Sequence, residues 1–131
     1  MITAIVEGEP NTATAQQKGV MVRNGRPMFF TKKKVKVAQD LLVARLRVYA
    51  PRKPIDFPVL VKVKFAFGRT KARPHERRHG KRPDIDNLLK GVLDALGPAG
   101  WLADDGLVDQ LVAEKCRVEG PYLEVTMKEA L

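Results

Sequence analysis

The spacing of apolar and polar positions changes several times along the chain, and each change marks an element. Residues 2–7, I-T-A-I-V-E, are β-branched and are closed by G-E-P-N, which predicts a short first strand ending in a loop. The stretch T-A-T-A-Q-Q-K-G that follows is polar and aperiodic. Val20 to Phe30 then predicts a hairpin turning at Asn24-Gly25, the dipeptide that best tolerates positive φ at both central positions of a tight turn. Pro27 places the second arm at an edge or makes it irregular. From Thr31, a candidate N-cap, the period becomes helical: Val35, Ala38, Leu42, Arg45, Leu46 and Tyr49 recur at spacings of three and four, until Pro51 and Pro54. Val59 to Phe67 alternates apolar residues with lysine and predicts a central strand with one face on the core. A second helical stripe, Leu88, Leu89, Val92, Leu93 and Leu96, ends at Gly97-Pro98. Strands are predicted from Leu107 to about Val118 and from Tyr122 to Met127, joined as a closing hairpin through Glu119-Gly120-Pro121.

Length and composition narrow the class. With 131 residues, 44% of them hydrophobic, the chain is long enough for one domain (1–131) to bury a core without disulfides or a structural metal. Cys116 is the sole cysteine and is expected to be a small buried hydrophobe. The N-terminus lacks a basic segment followed by a long apolar one, and no run reaches the roughly 18 apolar residues of a membrane span. A cytoplasmic protein is expected, without membrane attachment or a small-molecule cofactor.

Charge points to the partner. The formal net charge is +9, with a pI near 9.9. A polyanion is therefore the first partner to consider, nucleic acid ahead of an anionic membrane surface. Residues 68–82 (G-R-T-K-A-R-P-H-E-R-R-H-G-K-R) concentrate the surplus: Arg69, Lys71, Arg73, Arg77, Arg78, Lys81 and Arg82 stand against one acid, a net +6. With almost no apolar residues, this segment is expected to be a mobile loop that orders on a phosphate backbone and contacts DNA through those seven side chains. A solvated linker and a nuclear import signal are the plainer readings. His75 and His79 are four apart, but no further ligand completes a zinc set. Lys32, Lys33, Lys34 and Lys36 crowd the first turn of the first helix, where the dipole disfavours cations. A solvated lysine face is the simpler reading there, and phosphate contact the alternative.

The candidate chemistry lies directly after the basic loop, in R-P-D-I-D-N-L-L-K-G-V-L-D-A-L-G-P-A-G-W-L-A-D-D, residues 82–105. Asp84 and Asp86 fall at the N-cap and first turn of the second helix. At 100° per residue, Asp86, Lys90 and Asp94 form a stripe beside the apolar one, so both faces can be satisfied together. A helix of about twelve residues is about 18 Å long and the nine steps from Leu96 to Asp105 reach at most roughly 30 Å. Asp105 can thus return to the helix N-terminus if the connection runs back along the helix, which would give Trp101 and Leu102 a surface to pack on. Singly, each acid has a plain explanation as a cap, a turn residue or a surface ion pair. Together they repel one another unless a hard cation sits among them, and an all-oxygen site selects Mg²⁺ or Mn²⁺.

The order D-x-D-N-x-x-K-x-x-x-D-A-L, followed by G-W-L-x-D-D and a strand, resembles the RusA-type Holliday junction resolvases of bacteria and prophages. The similarity is specific over Arg82 to Val108 and weaker upstream. It implies a small α/β (α+β) fold, a mixed β-sheet with two main helices packed on it, acting as a homodimer. It implies that Asp84, Asp86 and Asp105 bind Mg²⁺ and that Lys90 is also needed for cleavage, with Asn87, Asp94 and Asp104 at further motif positions. One extra residue, Ala103, precedes the acidic pair, so the resemblance leaves open whether Asp104 or Asp105 is the ligand. The implied activity is hydrolysis of four-way DNA junctions to 5′-phosphate and 3′-hydroxyl ends. A non-catalytic nucleic-acid-binding module and a magnesium nuclease acting on flaps or duplex are the alternatives.

Overall fold

The computed structural model describes residues 1–11, 18–23, 25–31 and 33–131. Their elements are β1 (Ile2–Glu7), β2 (Lys18–Arg23), β3 (Arg26–Thr31), α1 (Lys33–Arg47), β4 (Val59–Gly68), α2 (Ile85–Leu96), a 3-10 turn (Asp105–Leu107), β5 (Val108–Val118) and β6 (Tyr122–Glu129). Four strands form one mixed sheet in the order β1-β6-β4-β5, and β2 pairs with β3 in a separate ribbon. The architecture is the expected α+β domain with two main helices.

The alternation read in β4 decides the layering. Val59, Val61, Val63, Phe65 and Phe67 are buried, while Lys62 and Lys64 take the opposite face. Neighbouring strands add Leu123, Val125 and Met127 in register with Phe65, Val63 and Val61. On this layer sit Leu42 and Leu46 of α1 and Leu88, Val92, Ala95 and Leu96 of α2, one continuous core. Each fully buried aliphatic side chain contributes about 1.5–3 kcal/mol by leaving water. β4 is central because both its edges are paired, antiparallel with β6 and parallel with β5. Cys116 is free and buried, as expected.

Two local expectations are corrected, and a third is borne out with a different glycine conformation. β5 and β6 do not form a closing hairpin, because β4 lies between them. The link Glu119-Gly120-Pro121 instead crosses the end of β4, a step of about 10 Å, within reach of three linking residues. Gly68 stands at that crossing: a Cβ there would lie 3.9 Å from Pro121 Cγ and 2.6 Å from Glu9 Oε1, the atom that accepts its backbone N–H. Thr31 is not an N-cap but the last residue of β3, paired with Lys18. The residue before α1, the expected polar stretch at 12–17 and Asn24 of the predicted turn lie outside the described residues; Gly25 has the positive φ (+73°) that the turn requires. Finally, Gly97 is right-handed (φ −62°), and the left-handed glycine is Gly100 (φ +85°). α2 still ends at Leu96, where the Gly-Pro pair predicts, but the chain winds on past Pro98 until the Trp101 N–H donates to the Leu96 carbonyl at 3.0 Å, and it reverses at Gly100.

That late reversal steers the return path. Trp101 is fully buried and its indole Nε1 donates to the Leu46 carbonyl at the end of α1, 2.8 Å away. Leu102 is buried beside it and forms a parallel bridge with Ile55, whose backbone bonds Trp101 and Ala103 at 2.9 Å each. The chain from Gly97 to Ala103 is therefore pinned along its length before it reaches the acidic pair.

Candidate active site

α2 builds one wall of the site. Its apolar stripe faces the sheet, and Asp86, Lys90 and Asp94 follow on the next stripe, all three exposed. The 3-10 turn supplies the facing wall. Asp86, Lys90, Asp94 and Asp105, with Leu89, Leu93 and Val108, line one shallow cleft of about 300 Å³. The return of Asp105 to the helix, anticipated from chain length, is what the structure contains. Asp84 is not among the residues lining the cleft; it is exposed at the N-cap of α2, two residues before Asp86.

The individual carboxylates differ in what they do. Asp104 Oδ2 accepts the Gly106 N–H at 2.9 Å and caps the 3-10 turn, a structural role for one of the two adjacent acids. Asp84 holds the cap position of α2 in an extended conformation (φ −70°, ψ 142°), yet its side chain makes no cap bond. The plain reading of Asp84 as a helix cap therefore fails. Asp84, Asp86 and Asp105 have no hydrogen-bond or ion-pair partner among the described residues, in a chain with a net charge of +9. Lys90 pairs with Asp94 at 3.3 Å, both half exposed.

Among the described residues, no three acidic, histidine or cysteine side chains stand close enough to form a ready-made metal cage. The donor chemistry nonetheless fits a hard cation: two free carboxylates share one cleft and a third lies half a turn along the chain. Mg²⁺ keeps several of its waters and is held through one or two carboxylates plus substrate phosphates, so a closed protein cage is not what it requires. A larger cavity of about 1060 Å³ lies between α1 and α2, but it contains none of Asp84, Asp86 and Asp105 and its lining is largely apolar.

The basic segment leads from the end of β4 to Asp84 at the start of α2. Arg69, Lys71, Arg73, Arg77, Arg78, Lys81 and Arg82 are all exposed, as a phosphate-contacting surface demands. Arg73 is engaged by Glu76 at 3.4 Å, and Arg69 Nε donates to the Glu76 carbonyl. The segment, read from sequence as a mobile loop, has fixed points. Arg78 bridges Cys116 on the free edge of β5, the Arg117 N–H donates to the Arg77 carbonyl at 2.9 Å, and the Lys115 ammonium donates to the carbonyls of Lys81 and Pro83. Lys33, Lys34 and Lys36 are exposed at the start of α1. The tethering residues were not singled out from sequence, because a lysine alternating with apolar residues in a strand reads as part of a solvent face.

His79 is the segment's one buried side chain, its ring 4.6 Å from that of Phe67 and tilted by 52°. Nδ1 accepts the Lys81 N–H at 3.4 Å, which requires an unprotonated nitrogen. Burial, and then the charges of Arg117 and Lys115, hold its pKa below the ordinary 6.5. In the unfolded chain the imidazole protonates near 6.5, before it does so in the folded protein. Stability is therefore fully present above pH 6.5, falls as pH drops from there toward the lower folded value, and then levels off. We expect urea midpoints at pH 7.5 and 5.5 to differ more for the wild type than for His79→Gln; equal differences would show that His79 is not the titrating group.

Fold and site together define a small basic domain with exposed carboxylates, unpaired among the described residues, that follow its basic segment in sequence. Its lineage agrees: the family described as Endodeoxyribonuclease RusA matches residues 8–128, and the chain belongs to that family. Over 118 residues it is 25% identical to the crossover junction endodeoxyribonuclease rusA of Lactococcus phage r1t, covering 88% of each chain. It is also 44% identical over 50 residues to the crossover junction endodeoxyribonucleases RusA of Escherichia coli (strain K12) and Shigella sonnei (strain Ss046), covering 37% of this chain and 42% of theirs. Among the described residues no helix is long and apolar enough to cross a membrane.

Proposed function

We propose that this chain is a Mg²⁺-dependent endodeoxyribonuclease that resolves four-way DNA junctions in recombination and repair, in the cytoplasm of a bacterium and encoded by the host or a phage. The observation that carries the reading is that Asp86 and Asp105, both unpaired among the described residues, line one cleft with Lys90, directly downstream of the segment that holds +6 of the chain's charge.

Asp86 and Asp105, which line the cleft, and Asp84 at the helix N-cap would hold the cation. The bound Mg²⁺, for which Mn²⁺ substitutes, supplies water activation and neutralises charge on the attacked phosphate. Asp104 keeps the turn that presents Asp105. Lys90 exchanges Asp94 for the phosphate in flight and stabilises the charge that builds on it. That exchange costs little, since an exposed pair of this kind contributes about 0–1 kcal/mol. Arg77, Arg78, Lys81 and Arg82 hold the DNA backbone, with Arg69, Lys71 and Arg73 at the outer end of the same segment. Paired incisions call for two sites related by a two-fold axis, which a homodimer provides.

Cleavage of four-way, flap, linear duplex and single-stranded DNA, compared in Mg²⁺, tests the substrate class. Junctions are expected to be cut at least about tenfold faster than the others, a preference of 1.4 kcal/mol or more at the transition state. Equal rates on flaps or duplex would make the chain a general nuclease, and metal-independent binding without cutting would make it a binding module.

A further inference from the structure

We propose that Lys115 of β5 is a positioning residue for the metal site, acting through the main chain that leads into Asp84. The inference rests on the reading of the acidic cleft as a Mg²⁺ centre and adds a residue outside the D-x-D-N-x-x-K and Asp-Asp motifs.

Lys115 lies in register with Phe65, on the sheet face that carries the helices, and is partly buried. Its ammonium donates to the Lys81 carbonyl at 2.7 Å and to the Pro83 carbonyl at 2.9 Å. Two carbonyls two residues apart aimed at one nitrogen fix both the position and the direction of the chain between them. The next residue is Asp84, whose own carbonyl accepts the Leu88 N–H at 3.1 Å, the first hydrogen bond of α2. The backbone of Asp84 is thus held on one side by the sheet, through Lys115, and on the other by the helix. The side chain of Asp84 is left free of any cap bond, and Asp86 follows in the first turn.

The charge on Lys115 is committed to this staple. An ammonium has three donors, and two of them serve main-chain carbonyls in charge-assisted bonds, which are stronger than bonds between neutral groups. That separates Lys115 from Lys81 and Arg82, whose exposed heads face solvent and suit phosphate. Near Lys115 the only other side chain that ties residues 80–83 among the described contacts is His79, through the longer 3.4 Å bond to the Lys81 N–H. Without the ammonium, residues 80–83 would keep the neutral His79 bond to the Lys81 N–H, with the nearest backbone tethers lying outside them at Arg77, Arg78 and Asp84. The first carboxylate of the motif would then no longer be held in a fixed relation to Asp86 and Asp105.

The test compares Lys115→Met, which keeps the apolar stem and removes the donors, with Lys115→Arg, which can still donate to both carbonyls. Mg²⁺ binding to the DNA-free protein is measured by calorimetry, junction binding in EDTA by gel shift, and cleavage under single-turnover conditions. Lys115→Met is expected to weaken Mg²⁺ binding and to slow cleavage by about tenfold each, the lower end of what loss of a supporting partner costs. Junction binding in EDTA should stay near wild type, and Lys115→Arg should recover most of both losses. If Lys115 acts through Asp84, the double variant with Asp84→Asn binds Mg²⁺ no more weakly than Asp84→Asn alone. Wild-type Mg²⁺ affinity in Lys115→Met overturns the proposal, as does additive loss in the double variant. Should Lys115→Met fail to fold, Lys115→Gln, which removes the charge and is too short to span both carbonyls, is read by the same criteria. A wild-type protein that binds no Mg²⁺ and cuts no DNA removes the underlying reading, and that outcome is visible in the wild type alone.

Discussion

Asp86→Asn and Asp105→Asn are each expected to slow junction cleavage by more than about 100-fold, the upper end of the cost of losing a mere supporting partner of a metal ligand. Asparagine preserves size and hydrogen-bonding capacity but removes the charge that a hard cation requires, so the loss reports on the metal and not on packing. Both side chains are exposed and unpaired, and neither substitution leaves a buried group without a partner. Junction binding in EDTA should therefore be retained or slightly strengthened, one negative charge having gone from beneath a polyanion. Asp104→Asn is the internal contrast. Its carboxylate is occupied with the Gly106 N–H, and asparagine caps as well as aspartate does, so cleavage should stay within about threefold of wild type. The doubt over which of the adjacent acids carries the chemistry thereby becomes a difference in rate.

The largest effect on stability is expected at Trp101. Removing a buried tryptophan costs about 3–5 kcal/mol through lost transfer and cavity formation. Here the Leu46 carbonyl also loses one of its two donors, the Tyr49 N–H at 3.0 Å remaining, and the lost bond adds about 0.5–1.5 kcal/mol. Domains of this kind have only about 5–15 kcal/mol in total. Trp101→Ala should therefore lower the Tm by about 10 °C or more, or leave the chain largely unfolded at 37 °C. Trp101→Phe refills most of the volume and forgoes the indole bond, so it should lose no more than about half as much. A Tm of Trp101→Ala within 3 °C of wild type would show that this core is not organised around Trp101. On the proposed function the residue matters to catalysis as well, because it pins the chain that leads on to Asp105.

What could be read from sequence is what is encoded locally. The alternation from Val59 to Phe67 identified the central strand, since burial on one sheet face follows a period of two whichever strands lie alongside. The two stripes of α2 were legible together because one angular period fixes both, and chain length alone allowed Asp105 to return. Strand order was not legible: Glu119-Gly120-Pro121 makes a plausible hairpin link, but whether β4 slots between its arms depends on pairings distant in sequence. The helix end was legible, since α2 stops at Leu96 with Gly97 as its C-cap, whereas the left-handed residue that reverses the chain is Gly100, which the Gly-Pro pair did not indicate. The site itself was only partly visible. Its acids stood out by number, whereas the division between Asp104 as cap and Asp105 in the cleft, and the staple from Lys115, exist only once the turn and the sheet edge are in place.

The central claim is that the acidic cleft is where a metal-dependent cut is made. It is tested most directly by incubating a synthetic mobile four-way junction with the wild type and Asp86→Asn, side by side, in Mg²⁺ and in EDTA. The expected result is paired incision by the wild type in Mg²⁺ alone, and binding without cutting by Asp86→Asn. Comparable cleavage by the two proteins in Mg²⁺ would contradict the claim.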